Sequence, residues 1–427
     1  MNPSGNVDQD DIVRARNILL ASGRRTPREE VAAYRVLAQV SPASYLPLLA
    51  EALQRMRYDT GTGRKHPDSL LLCEEAVAAA RAIDPAEPGR AQVLHRALDA
   101  CQRELYDLGR RSEGLALRAE MLAIGRAQDE RSGSSTVGGL GIWAAGLSEE
   151  GRYAEAADAL TELVTVERPS GPREGALAWT LLQWIANLHA AGRSDETRAA
   201  FETLIAMEAD EAANDRGPMV CHLHSVLGYT QVLDTQGRTE QAAAVRQEAL
   251  ALLTQLAASG ERKSWSGYQR SFWAALLMFS RTDSDRPTPG EPRPPSGATP
   301  YHWSPDVRRR YFDSLDALRE EVDALAPRAV EDPERHLAEL VRLHRQLTVR
   351  SAVCWQEHDC RFPAGVRSLF DDGVELARRL AQHDPPAGTR TLAGALIDRT
   401  TFHATLLEFG PALDDFREAL THLGEAD

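Results

Sequence analysis

The chain has 427 residues, 43% apolar and 6% aromatic, and its 63 acidic and 49 basic residues leave a formal charge of −14. A surface this acidic repels a phosphate backbone and no long basic run offsets it, which argues against nucleic acid as the partner. No apolar run approaches the ~20 residues that span a bilayer, the polar start MNPSGNVDQDD lacks the layout of a signal peptide, and the scattered cysteines suit reduced thiols, so a cytoplasmic protein with no membrane contact is expected.

Ala, Leu, Glu and Arg dominate, which favours helix over strand. The basic residues include only two lysines, Lys65 and Lys263, a bias typical of GC-rich genomes such as actinobacterial ones. From residue 8 onward the chain reads as helical hairpins. Gly-Arg recurs at Gly23, Gly63, Gly109, Gly151, Gly192 and Gly237, in steps of 40, 46, 42, 41 and 45 residues. Most copies follow an apolar helical run and precede an acidic residue three or four places on, then a second apolar run. Glycine can close the first helix because it takes the left-handed conformation without steric cost. The acidic residue then falls in the first turn of the next helix, where the helix dipole favours it. A small residue often follows (Gly114, Ala156, Ala242), where the two helices of a hairpin come closest.

Thr60-Gly61-Thr62-Gly63-Arg64-Lys65-His66 has the composition of a phosphate loop, but its glycine spacing is wrong and a helix precedes it, so it reads as a turn. Residues 264–281 read as a further first helix with no Gly-Arg turn behind it. The stretch 282–304, rich in Pro and Gly, cannot hold a helix. Helical patterning resumes at Ser304-Pro305-Asp306, over 305–326, 333–357 with 364–383, and 388–408 with 411–424. Phe409-Gly410-Pro411-Ala412 reads as a degenerate copy of the turn. The sequence divides into an array over 8–281, an insertion or linker over 282–304 and a degenerate array over 305–427. The expected architecture is all-α, an α-solenoid of about nine antiparallel helix pairs with the insertion inside the sixth.

Nine of the 25 aromatic residues fall between Trp265 and Phe312. They either fill an imperfect junction at the insertion or form a partner pocket around Trp273 and Trp303, with the neighbouring Arg308, Arg309 and Arg310 steering an acidic segment. Cys354 and His358 would share a helix face and Cys360 follows, a weak metal set without a second ligand pair; a cysteine pair at a helix end is the plainer reading. No nucleophile, base or acid set stands out, and no cofactor is expected.

Gly151-Arg152-Tyr153-Ala154-Glu155-Ala156 closely resembles the turn and second helix of the tetratricopeptide repeat family. The spacing is similar to the long-helix variety of kinesin light chains and actinobacterial regulatory proteins, and 33–53 is similar to repeat junctions of the latter. The resemblance implies a right-handed superhelix whose first helices line a concave, ligand-binding surface. Carried over by register before the turn glycine, those positions are Arg96, Asp99, Arg103 and Tyr106; then Trp179, Leu182, Ala186 and His189; then His224, Leu227, Gln231 and Asp234. Arg96 and Arg103 are the pair expected to hold a carboxylate. The expected role is a non-catalytic scaffold for a protein or peptide segment; the alternatives are a regulatory sensor for a peptide or small molecule and, remotely, a metal-dependent enzyme.

Overall fold

The structure is a computed structural model that describes residues 8–21, 25–57, 68–132, 139–167, 176–263, 266–281, 294, 297–298, 303–354 and 364–425. Among them every regular element is helical. The helices are α1 (Gln9–Leu20), α2 (Pro27–Val40), α3 (Pro42–Met56), α4 (Ser69–Arg81), α5 (Arg90–Asp107) and α6 (Arg111–Ser132). There follow α7 (Leu140–Glu149), α8 (Tyr153–Glu167), α9 (Ala176–Ala190), α10 (Ser194–Ala213), α11 (Met219–Thr235) and α12 (Thr239–Ser259). Last come α13 (Ser266–Leu277) with a 3-10 turn at Met278–Arg281, α14 (Pro305–Glu331), α15 (Pro333–Cys354), α16 (Ala364–His383), α17 (Pro385–Thr405) and α18 (Phe409–Leu423). The all-α hairpin architecture expected from the repeats is present; among the described helices the 282–304 stretch follows the thirteenth.

One motif builds the hairpins. Gly109 has φ +73°, its N–H donates to the Tyr106 carbonyl, and the Arg110 N–H donates to Leu105. The same two bonds recur at Gly151–Arg152, Gly192–Arg193 and Gly237–Arg238. Arg110, Arg152 and Arg193 then reach the glutamate three places on, with Nε to Oε1 distances of 2.7 Å to Glu113, Glu155 and Glu196. That hydrogen bonding holds each glutamate below its ordinary carboxylate value. So the acidic residue closes the turn as well as meeting the dipole. Five residues past the glycine the chain is buried at Gly114, Ala156, Thr197 and Ala242, where the hairpin helices meet. The rungs at Gly23 and Gly63, with the 60–66 stretch, lie outside the described residues.

Side chains one repeat apart touch, as stacking requires. Arg35 pairs with Glu75 across 40 residues, Arg81 with Glu120 across 39, and Arg378 with Glu418 across 40. The last of these shows the repeat persisting where no Gly-Arg marks it. Its turn sits at Leu407-Glu408, not at Phe409-Gly410. Leu407 has φ +61°, its N–H donates to Ala404 and that of Glu408 to His403, and Ala412 is the buried residue five places on. Gly410 and Pro411 belong to the first turn of α18, which tolerates proline.

The chain forms two compact units, Met1–Gly146 with Ser304–Asp306, and Leu147–Trp303 with Val307–Asp427. In the first, α1 to α6 pack in sequence over a core running from Val31 to Met121. In the second, α17 packs on α11 and α18 on α12. His224, early in α11, meets Thr405 at the end of α17, and Arg246, early in α12, meets Glu425 just past α18. The C-terminal hairpin therefore lies antiparallel on α11–α12, closing back on it.

Helix α13 is the hub of this second unit. Phe272, Ala275, Leu276 and Phe279, at i, i+3, i+4 and i+7, join a core shared with α8 to α12. Trp273, Ala274, Leu277 and Met278 join a core shared with residues 303–402. A helix apolar all round is buried all round. The aromatic concentration thus fills the junction: Trp273 stands 6.0 Å from Phe402 and 6.2 Å from Phe370, and Phe370 stacks on Phe402 at 4.5 Å.

Candidate functional site

The residues singled out along the first helices have different surroundings in the two units. In the second unit α13 and the turn after it lie against Trp179 and His189, and α17 lies against His224. Trp179 of α9 meets Tyr268 edge-on at 6.0 Å and Phe272 at 6.3 Å; His189 meets Phe279 at 6.5 Å, and burial lowers its pKa. His224 is fully buried between α11 and α17, with Nε2 3.1 Å from the Thr405 hydroxyl, and burial lowers its pKa to about 3, so it is neutral. Gln231 is half-buried on the same helix. Trp273 is 1% exposed and donates from Nε1 to Thr401 Oγ1 at 2.8 Å. Trp303 is buried edge-on to Tyr311 at 5.0 Å, whereas Arg309 is exposed on α14. His224, Trp273 and Trp303 are thus buried, while Trp179 and His189 are half-buried. Cys354 closes α15 with its side chain outside the described residues, as are His358 and Cys360.

Among the described residues of the first unit the corresponding face is open. A cleft of about 480 Å³ is lined by Glu51, Gln54 and Arg55 of α3, by Arg57 just past its end, and by Arg96 of α5. The helices put these residues together because 51, 54 and 55 share one face of α3. Arg55 reaches Glu30 at 3.0 Å, and the buried Arg57 donates to Glu104 at 2.6 Å. Arg96 stands 3.6 Å from Glu51, beyond a strong ion pair, with 52% of its side chain exposed. Two turns along the same helix, Arg103 is exposed and 3.0 Å from Asp99. Arg55 and Arg57 are thus matched by Glu30 and Glu104, and Arg96 is the loosely paired, half-exposed guanidinium group of the cleft.

Tyr106, the last position of that register, is fully buried instead, with Arg118 4.0 Å and Arg111 4.8 Å from its ring centre. Sequence reasoning missed these two arginines; the doubled arginine of Gly109-Arg110-Arg111 was the available signal. Arg118 donates to Gln102 Oε1 at 3.0 Å and to Ser304 Oγ at 2.9 Å, and Arg111 donates to both Asp306 oxygens at 2.8 and 3.0 Å. Among the described residues no group of three or more His, Cys, Asp or Glu is placed to hold a metal ion.

The chain matches no family model, and no curated protein matches it.

Proposed function

We propose that the protein is a non-catalytic scaffold of the tetratricopeptide type that binds an acidic protein segment along the α3–α5 face. The observation that carries this reading is the open cleft with three arginines from consecutive first helices, Arg96 among them only loosely paired. Guanidinium groups hold carboxylates in forked, directional bonds. An array of helical hairpins also offers an extended surface to an extended segment. The net charge of −14 also disfavours non-specific attachment of such a segment, which adds selectivity.

The test is charge reversal. A partner captured by the immobilised full-length chain should bind Arg96→Glu/Arg103→Glu at least tenfold more weakly, with the circular dichroism unchanged. Undiminished binding by that variant would remove the reading.

A further inference from the structure

The first unit contains a second, differently built cluster of arginines, on α6 and apart from the lining of the α3–α5 cleft. Two arginines flank one tyrosine ring in its interior. Arg111 and Arg118 carry positive charge into a place where their side chains are mostly withdrawn from water: Arg118 is 5% exposed, and the Arg111 side chain 13%. Buried guanidinium groups need acceptors, because an unmet charge there is costly. Gln102 and the Ile142 carbonyl accept from Arg118 nearby, and two further acceptors come from far along the chain, across 186 and 195 residues. Ser304 offers its hydroxyl to Arg118, and Asp306 offers its carboxylate to Arg111.

The space for this arrangement is carved by two glycines. A Cβ on Gly114 would lie 2.7 Å from the Tyr106 ring, and one on Gly146 would lie 3.1 Å from Arg118 Nη1 and 2.7 Å from Leu115 Cδ1. Any side chain at either place would push the tyrosine or the arginine off its position. The ring has its own part to play, since its face attracts the guanidinium group over it and so holds the fork aimed at the acceptors.

What lies in the site is a three-residue motif, hydroxyl–proline–carboxylate, with the proline fixing the spacing between its two polar ends. One hydroxyl and one carboxylate, two residues apart, meet Arg118 Nη2 and Arg111 Nη1, while Gln102 and the Ile142 carbonyl hold the other Arg118 nitrogens. We propose that the Tyr106–Arg111–Arg118 site is a docking site for a Ser/Thr-Pro-Asp/Glu segment of a partner protein, and that Ser304–Asp306 is its internal competitor. The resident segment keeps the site closed until a partner segment at higher effective concentration displaces it, so apparent affinity is reduced by the fraction of molecules in which the site is vacant.

The experiment uses a fluorescein-labelled peptide, Pro-Tyr-His-Trp-Ser-Pro-Asp-Val-Arg-Arg, titrated with full-length protein and read by anisotropy. Asp306→Asn keeps the shape of the resident residue but removes its charge; Ser304→Ala/Asp306→Ala removes both resident contacts. Both variants should bind the peptide at least tenfold more tightly than the unmodified chain. Adding Arg111→Ala to either should abolish the gain, and a peptide with alanine in place of its aspartate should not bind. Equal binding by the unmodified chain and the variants, or indifference to the peptide's aspartate, would overturn the proposal. So would loss of helical circular dichroism in Asp306→Asn, because the contact would then be an obligatory part of the fold.

Discussion

Replacing Gly192 with alanine isolates what the repeated glycine contributes. Its φ is +72°, and a Cβ added there would meet no atom within 4 Å. The cost is therefore purely conformational: about 1–2 kcal/mol for an L-residue in the left-handed region, less the ~0.5–1 kcal/mol by which alanine restricts the unfolded chain. The expected net loss is about 1 kcal/mol. Gly388 gives the contrasting case. A Cβ there would fall 2.4 Å from the Ala381 backbone nitrogen and Cα, so α16 and α17 would have to separate. Overpacking against backbone that cannot yield costs about 3 kcal/mol or more. Urea denaturation followed by circular dichroism ranks the two, the midpoint moving several times further for Gly388→Ala than for Gly192→Ala. A neutral Gly192→Ala, or one as damaging as Gly388→Ala, would refute the account of the turn.

Other expectations follow from the same packing. Leu407→Gly should fall between neutral and about 1 kcal/mol stabilising, since it relieves a left-handed leucine; a larger loss in the same denaturation assay would show that its side chain matters more than its backbone. Glu208 is 3% exposed and accepts a hydrogen bond from Tyr268 at 3.3 Å; burial raises its pKa from 4.5 to about 7. The folded state then binds more protons than the unfolded one between those values, so stability falls as pH rises from 4.5 to 7, by roughly 3 kcal/mol. Glu208→Gln should remove that slope in melts across pH 4–8 and be the more stable protein at pH 8. Glu104→Ala strands the buried Arg57 and should cost about 3 kcal/mol, with much of it recovered when Arg57 is also made methionine. Trp273→Ala opens the core that α13 shares with residues 303–402 and should cost about 4 kcal/mol.

The hairpins were legible in sequence because their determinants are local. A glycine in the left-handed region, an arginine and a glutamate three places on leave a repeated signature wherever they occur. The closing hairpin kept the geometry with Leu407 in the glycine's place, so composition hid it and proline-glycine at 410–411 drew attention to the wrong residues. Helix α13 showed its all-round apolar character, yet which helices surround it depends on contacts such as Trp273–Thr401, 128 residues apart. The same limit applies to function. Register placed Trp179, His189 and His224 on a ligand face, but a helix further along the chain covers Trp179 and His189, and α17 covers His224. Arg96 and Arg103 are exposed among the described residues of the first unit, whereas Arg111 and Arg118 take their meaning from Ser304 and Asp306, which no local pattern connects to them.

The scaffold reading stands or falls on where a partner touches the chain. A photo-reactive amino acid placed at Gln54, in the cleft, or at Gln128, exposed on α6, reports that directly in cells expressing the full-length protein. The account predicts a discrete cross-linked protein from position 54 that vanishes with Arg96→Glu and does not form from position 128. Cross-linking equally from both positions, or from neither, would contradict it.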